Sequence, residues 1–268
     1  MKFEYINLFG YRIFYFMPLY FNLIFVFLFG LIIGSFLNCL IWRLHTGESL
    51  FGRSYCPKCK KQIAWYDNLP VVSYFLLAGK CRECGKAISW QYPTVELATG
   101  ILFVLAFVNH FQFSIEILRD WFIISVMIVI FIYDLRWYMI LDIVTLPACL
   151  IILIANLILG LSLWNLLISG IIGGSFFLIQ FIISQGKWIG GGDIRLGLLM
   201  GLALGWPGVI MAIIISYFLG SIVGLGLIAA GKKQWGSEVP LGVFLAFGTL
   251  VTLFWQAEIL NWYWNLFL

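Results

Sequence analysis

Long apolar stretches separated by short polar ones run along almost the whole chain. A helix needs roughly 17 to 25 apolar residues to cross the hydrocarbon core of a bilayer. The pattern therefore predicts an all-α polytopic membrane protein with about eight transmembrane helices, two of them short. We place these helices near residues 18–41, 95–112, 120–134, 142–161, 164–184, 194–205, 207–230 and 240–258.

The composition agrees with this pattern and excludes an ordinary soluble domain. Hydrophobic residues make up 63% of the chain and charged residues only 10%. The mean hydropathy is +1.02, far above the values typical of soluble proteins. No small-residue cleavage site follows the first apolar stretch, so we expect the first helix to stay in the membrane.

Basic residues in the loops predict the orientation, because cytoplasmic loops are enriched in lysine and arginine. With eight helices, the basic loops all fall on one side, which we take as the cytoplasm, and both termini fall on the other. These loops contain Arg43, Arg53, Lys58, Lys60, Lys61, Lys80, Arg82, Lys86, Arg136, Lys187, Arg195, Lys232 and Lys233. The net charge of +4 is explained by this topology and by anionic lipid headgroups, without a nucleic-acid partner.

Residues 43–94 are the one long polar stretch, and they contain two CxxC pairs, Cys56/Cys59 and Cys81/Cys84, separated by 21 residues. Each CxxC turns the chain so that two thiolates converge on one ion, and two such turns complete a tetrahedral zinc site. Disulfides are the alternative, but cytoplasmic thiols stay reduced and so short a domain needs a staple. We expect a small cytoplasmic zinc domain with four cysteine ligands between the first two membrane helices. The predicted division of the chain is 1–42, 43–94 and 95–268.

Two aspartates stand out at the predicted cytoplasmic ends of membrane helices. Asp193 follows Gly190-Gly191-Gly192, and Asp134 closes a long apolar run. Each has an ordinary explanation, since Asp193 would serve as a helix N-cap and Asp134 would pair with Arg136. Together they suggest chemistry, because ionisable groups at membrane depth are costly. Two such acids at one level, one protonated and one ionised, are the arrangement of aspartic proteases.

The glycines before Asp193 are interpreted as a turn that lets an extended peptide approach the acid closely. Asp142 is a rival to Asp134 as the partner of Asp193, although it opens the fourth predicted helix, where capping would explain it.

The competing functional class is a transporter or assembly component with a zinc knuckle, in which the buried acids form a proton or cation site.

The chain resembles the type IV prepilin peptidases over nearly its whole length after residue 20. Gly190-Gly191-Gly192-Asp193 is a GxGD motif, and "YDLRWYMILDIVTLP" is similar to the family segment with the first catalytic aspartate. The cytoplasmic stretch is similar to the family's amino-terminal domain. The similar stretches are "GSFLNCLIWRL" (34–44), "WYDNLPVVSY" (65–74), "CRECGKAISWQYPTVELATG" (81–100) and, near the end, "VPLGVFLAFG" (239–248).

The resemblance implies that Asp134 and Asp193 are the catalytic pair of an intramembrane aspartic peptidase and that the four cysteines bind zinc. It also implies a bacterial inner-membrane enzyme that removes the leader of type IV prepilins or pseudopilins. The family methylates the new amino terminus with S-adenosylmethionine, but residues 43–94 contain no glycine-rich nucleotide motif. Leu141 and Arg195 depart from the family's usual Pro and Lys. Glu96 lies in a family-like "VEL", which leaves a role in catalysis or methyl transfer open.

Overall fold

The chain is helical in a computed structural model that describes residues 5–111, 113–234 and 239–266, with side chains from residue 19 onward. Apart from a short 3-10 helix (Trp65–Asn68) and two isolated β-bridges, the regular structure of these residues is α-helical. The helices are α1 (Tyr5–Thr46), α2 (Val72–Leu76), α3 (Gln91–His110), α4 (Ile115–Trp137), α5 (Asp142–Ile158), α6 (Leu163–Ser184), α7 (Gly191–Leu204), α8 (Gly208–Ala229) and α9 (Leu241–Asn265). The all-α prediction is confirmed.

Among the residues that the structure describes, five helices are long and apolar enough to cross a membrane: Leu19–Thr46 within α1, α3, α6, α8 and α9. The other three predicted spans correspond to α4, α5 and α7. Helix α5 is apolar but has 17 residues, and α7 has 14. Helix α4 is long enough at 23 residues, but every stretch of 18 residues within it contains more than two charged residues. These three stay predictions as membrane spans.

The chain forms two compact units, residues 1–112 and 113–268. In the first unit α1 packs along α3, where Phe29 meets Phe103 with ring centroids 6.1 Å apart. Helices α1 and α3 pack together because their apolar faces bury each other. The predicted boundary at residue 94, where the composition changes from polar to apolar, stays a prediction.

The second unit is built around the short helix α7, which packs against α5, α6, α8 and α9. Small residues bring α6 and α7 into close contact, since a Cβ on Gly173 would lie 2.1 Å from the carbonyl oxygen of Gly197. Small residues in the stretch 170–175 therefore allow the backbones of α6 and α7 to approach closely. Gly224 and Gly226 of α8 differ, because a Cβ on either would meet no described atom within 4 Å.

Candidate functional site

Asp134 lies in the last turn of α4 with its side chain 5% exposed. Its Oδ2 accepts a hydrogen bond of 3.2 Å from the backbone N–H of Val243, in the first turn of α9. Helix N-termini present unpaired N–H groups and a partial positive charge, which stabilise a carboxylate. The buried carboxyl group is therefore held by α9, a contact that the suggested pairing with Arg136 did not anticipate.

Asp193 is 7% exposed and lies at the third position of α7, whose N-cap is Gly190. Its Oδ2 accepts the N–H of Gly190 at 2.9 Å, while its own N–H donates to the carbonyl of Gly190 at 3.1 Å. This reciprocal arrangement is the acidic half of a capping box. The expectation that Asp193 is itself the N-cap is wrong, because the helix begins earlier than its apolar run suggests.

Ile140, in the connection between α4 and α5, lies next to residues that neighbour both aspartates. A Cβ on Gly192 would lie 2.8 Å from the Cβ of Ile140, and one on Gly242 would lie 3.1 Å from its Cδ1. Ile140 thus contacts the residue before Asp193 and the helix end that holds Asp134. The carboxyl groups are close enough to interact electrostatically. The structure therefore brings together the two aspartates that the sequence singled out.

Asp142, the rival candidate, has a different environment. It is the first residue of α5, after the N-cap Leu141, and forms an ion pair with Arg195 of α7. Both side chains are nearly half exposed, at 48% and 43%. The ion pair, rather than N-capping, accounts for Asp142, and it gives Arg195 a structural partner. Asp134 is the more buried of the two candidates.

The three glycines adopt ordinary backbone conformations, contrary to the expectation of a specially flexible turn. Gly190 is extended, with φ −83° and ψ 158°, and Gly191 and Gly192 are helical. Close approach explains only Gly192, which packs on Ile140. A Cβ on Gly191 would meet nothing within 4 Å in the part of the chain that the structure describes. Among the described residues, none fills the space beside this position, which lies two residues from Asp193.

Sequence reasoning missed a polar pair near Asp193. The hydroxyl of Tyr217 in α8 donates to Oε1 of Gln180 in α6 at 2.9 Å, and Tyr217 interacts electrostatically with Asp193. Its ring stacks on Phe177 at 6.4 Å. Because the two residues come from separate apolar helices, no motif or spacing in the sequence signals the pair.

The second candidate site lies in the first unit, where the four predicted cysteines converge. Their Sγ atoms all lie within 4.8 Å of one another, and those of Cys56 and Cys84 are 4.0 Å apart. A tetrahedral zinc ion with Zn–S bonds of about 2.3 Å requires sulfur atoms about 3.8 Å apart. The cluster could therefore hold a metal ion, and its all-thiolate donor set fits zinc.

Both CxxC segments fold in the same way. Lys60 donates its N–H to the carbonyl of Cys56 at 2.8 Å, and Gly85 donates to that of Cys81 at 2.9 Å. Burial raises the pKa of the Cys56 thiol, but the N–H groups of Cys59 and Lys58 and the neighbouring thiols outweigh it, so the pKa falls to about 7. A thiolate is the form that binds metal.

Ion pairs link the polar segments around the cysteine cluster. Arg82, beside Cys81, donates two hydrogen bonds of 2.8 and 2.6 Å to Asp67 of the 3-10 helix. This guanidinium holds the pKa of Asp67 below its usual value. Lys61 pairs with Glu83 across the two CxxC segments at 2.5 Å. The four cysteines thus lie in a small region whose polar segments are joined by ion pairs.

Comparisons with known proteins match both units. Residues 28–110 match the bacterial peptidase A24 N-terminal domain, and residues 121–225 match the type IV leader peptidase family. Similar proteins are prepilin leader peptidases/N-methyltransferases. That of Legionella pneumophila is 30% identical over 88% of this chain and 92% of its own. That of Bacillus subtilis (strain 168) is 28% identical, and the match covers 89% of this chain and 96% of the relative. That of Myxococcus xanthus (strain DK1622) is 32% identical, and the match covers 81% of this chain and 66% of the relative. No solved structure matches the chain.

Proposed function

The chain belongs to the type IV prepilin leader peptidase/N-methyltransferase family, and from this premise we propose that Asp134 and Asp193 are its catalytic pair. The protein is a multi-pass membrane enzyme of the peptidase A24 family. Its substrates are type IV prepilins or pseudopilins, from which it removes the leader peptide. The observation that supports the catalytic assignment is that the two carboxyl groups are buried and close enough to interact electrostatically.

The chemistry follows from the proximity of the two acids. Two like charges held close together cannot both ionise readily, so one carboxyl keeps its proton while the other is a carboxylate. The carboxylate takes a proton from the attacking water, and the protonated acid donates to the oxygen of the scissile carbonyl. The tetrahedral intermediate then collapses as a proton passes to the departing amine. The N–H groups of Val243 and Gly190 hold each acid in place during these steps.

The open space beside Gly191 is the place we assign to the extended substrate backbone. A side chain at this position would narrow the approach to Asp193, which lies two residues further along α7. Leader cleavage requires an extended peptide at the acids, because a helix hides its scissile carbonyl groups in its own hydrogen bonds. Gly191 therefore serves access rather than backbone strain.

We assign the second activity, methyl transfer, to the first unit with its cytoplasmic segment 43–94. S-adenosylmethionine is the methyl donor that the relatives' N-methyltransferase activity calls for, and its binding residues are not assigned. Zinc held by Cys56, Cys59, Cys81 and Cys84 has a structural role, since four thiolate ligands fill a tetrahedral coordination sphere and leave no position for catalysis.

The lysine- and arginine-rich loops support an orientation toward the cytoplasmic side of the bacterial inner membrane for both aspartates and for residues 43–94, which we call the cysteine domain. This orientation fits the substrate. A prepilin is itself anchored by an apolar helix and presents its leader at that face, where the proposed acids meet. On this proposal α4, α5 and α7 complete the membrane domain around the site, although they are shorter or more charged than the other spans.

The experiment that tests the function is incubation of the detergent-purified protein with a purified prepilin, with and without S-adenosylmethionine, followed by mass spectrometry. We expect a product shortened by its leader in both reactions and heavier by one methyl group only with the donor. An intact prepilin after incubation with correctly folded, zinc-loaded protein would overturn the proposal and favour a transporter.

A further inference from the structure

The short segment Leu69–Leu76, which includes α2, exposes apolar side chains that no described part of the chain covers. Phe75 is 61% exposed and Leu76 is 77% exposed, while Leu69 and Val72 are 44% and 52% exposed. Exposed apolar side chains that form a contiguous patch mark a surface that contacts something other than water, whereas isolated exposed apolar residues do not. We call these residues the 69–76 segment.

The buried carboxyl group of Glu96 in α3 holds this segment at a defined position along α1 and α3. The N–H of Val71 donates to Oε2 of Glu96 at 2.7 Å, and Glu96 is the sixth residue of α3 and 6% exposed. Glu96 in turn packs against α1, where a Cβ on Gly34 would lie 2.7 Å from its Cα. Val71 is therefore within one side-chain length of the level of Gly34.

Gly34 lies well inside the apolar part of α1. Residues 19–42 contain no charged side chain, and Arg43 is the first one towards the cysteine domain. Gly34 precedes Arg43 by nine residues (43 − 34), which is about 13 Å along a helix that rises about 1.5 Å per residue. Because α1 spans the membrane, Val71 lies on the apolar side of the point where the polar environment begins.

The backbone of the segment is suited to such an environment, since its amide groups have partners within the protein. Leu69 donates to Oγ of Ser73 at 2.9 Å, Val71 to Glu96, and Ser73 to the carbonyl of Leu69 at 3.0 Å. The N–H groups of residues 77–79 also reach carbonyls of the segment. Internal satisfaction of backbone groups is the main condition for burial in lipid.

Val71 adopts an unfavourable backbone conformation in this arrangement. Its φ of +62° is unusual for a β-branched residue. The hydrogen bond to Glu96 holds Val71 in this conformation, and through it holds the following helix α2 against the membrane helices. Glu96 is therefore an anchor for the segment.

From these observations we propose that the 69–76 segment is embedded in the lipid leaflet on the side of the cysteine domain, with Leu69, Val72, Phe75 and Leu76 against the acyl chains. Trp65 and Trp90, 79% and 65% exposed, flank the segment, as tryptophan does at membrane interfaces. Lys80 and Lys86 of the same domain are exposed and suit anionic headgroups. This inference is independent of the catalytic assignment.

Photo-crosslinking in native membranes tests the proposal. p-Benzoylphenylalanine is placed at position 75 or, as a matched control, at position 51. Phe51 is 91% exposed, but Arg43 binds the carbonyls of Leu50 and Gly52 on either side of it, so it lies level with the polar end of α1. We expect several-fold more phospholipid adducts at position 75 than at 51. Equal yields, or capture of a co-expressed prepilin at position 75 in place of lipid, would overturn the proposal.

The anchor is tested in the same assay. In the Glu96→Gln variant an acceptor oxygen remains for Val71, so the lipid adducts at position 75 should persist. In the Glu96→Ala variant the anchor is lost, and the adducts should fall several-fold while zinc content stays unchanged. If Glu96→Ala prevents insertion or zinc binding, the comparison of positions 75 and 51 in the Glu96→Gln background decides the question. Loss of the position preference in that background would contradict the proposal.

Discussion

The carboxyl group of Asp134, at the end of α4, accepts a hydrogen bond of 3.2 Å from the backbone N–H of Val243, 109 residues later in the chain. The contact joins the last turn of α4 to the first turn of α9. It also means that a change from acid to amide is structurally mild, because the side-chain oxygen of asparagine accepts the same bond.

We therefore expect Asp134→Asn and Asp193→Asn each to insert and fold normally but to lower leader cleavage by at least ~10³-fold, because an amide cannot act as general acid or base. Each variant is compared with wild type for prepilin cleavage in detergent, with zinc content as the control for folding. Asp142→Asn, which breaks only an exposed ion pair, should keep most of the activity. Inactivity of Asp142→Asn together with full activity of Asp134→Asn would identify Asp142 as the partner of Asp193.

Two adjacent glycines provide a matched pair of substitutions. A Cβ on Gly192 would lie 2.8 Å from the Cβ of Ile140, whereas one on Gly191 would have open space around it. Overpacking of a buried contact typically costs about 1–3 kcal/mol. We expect Gly192→Ala to lower thermal stability and cleavage, Gly192→Val to be inactive, and Gly191→Ala to leave stability unchanged.

Truncation of the neighbour checks the cause of this effect. If the collision with Ile140 is responsible, Gly192→Ala/Ile140→Ala should recover part of the stability that Gly192→Ala alone loses, as measured by thermal unfolding in a double-mutant cycle. Additive losses would show that another contact is involved. A loss of cleavage without loss of stability in Gly191→Ala would support the placement of substrate beside that residue.

Metal analysis of the purified protein should find about one zinc ion per chain, because four thiolates converge on one point. Cys56→Ser/Cys59→Ser should remove the zinc and loosen residues 43–94, which hydrogen exchange would detect as faster amide exchange. Cys149→Ser is a suitable control, since Cys149 is buried in α5 of the second unit. Full zinc content in the double variant would refute the assignment of these ligands.

The two proposed activities should separate. Asp134→Asn and Asp193→Asn should still methylate a synthetic pre-cleaved pilin peptide, because both substitutions leave the first unit unchanged. Incorporation of labelled methyl groups from S-adenosylmethionine measures this. The absence of incorporation with wild-type protein would restrict the enzyme to peptidase activity, and its loss only in the aspartate variants would place methyl transfer at the same site.

The sequence by itself determined the features that depend on local chemistry. Apolar length predicted the helices, because a helix satisfies its own backbone wherever it is placed. The CxxC spacing predicted the metal cluster, since each turn is a short-range structure. The sequence also singled out Asp134 and Asp193 as a candidate pair, since each acid interrupts or adjoins an apolar run where charge is costly.

Only the tertiary structure decided which groups surround these residues. The bond from Val243 to Asp134, the ion pair of Asp142 with Arg195 and the anchor from Glu96 to Val71 join residues that are 25 to 109 positions apart. No periodicity encodes such contacts, because they depend on how helices pack against one another. The same holds for the glycines before Asp193. There the neighbour Ile140, and not the backbone conformation, leaves no room for a Cβ at Gly192, whereas no described residue crowds Gly191.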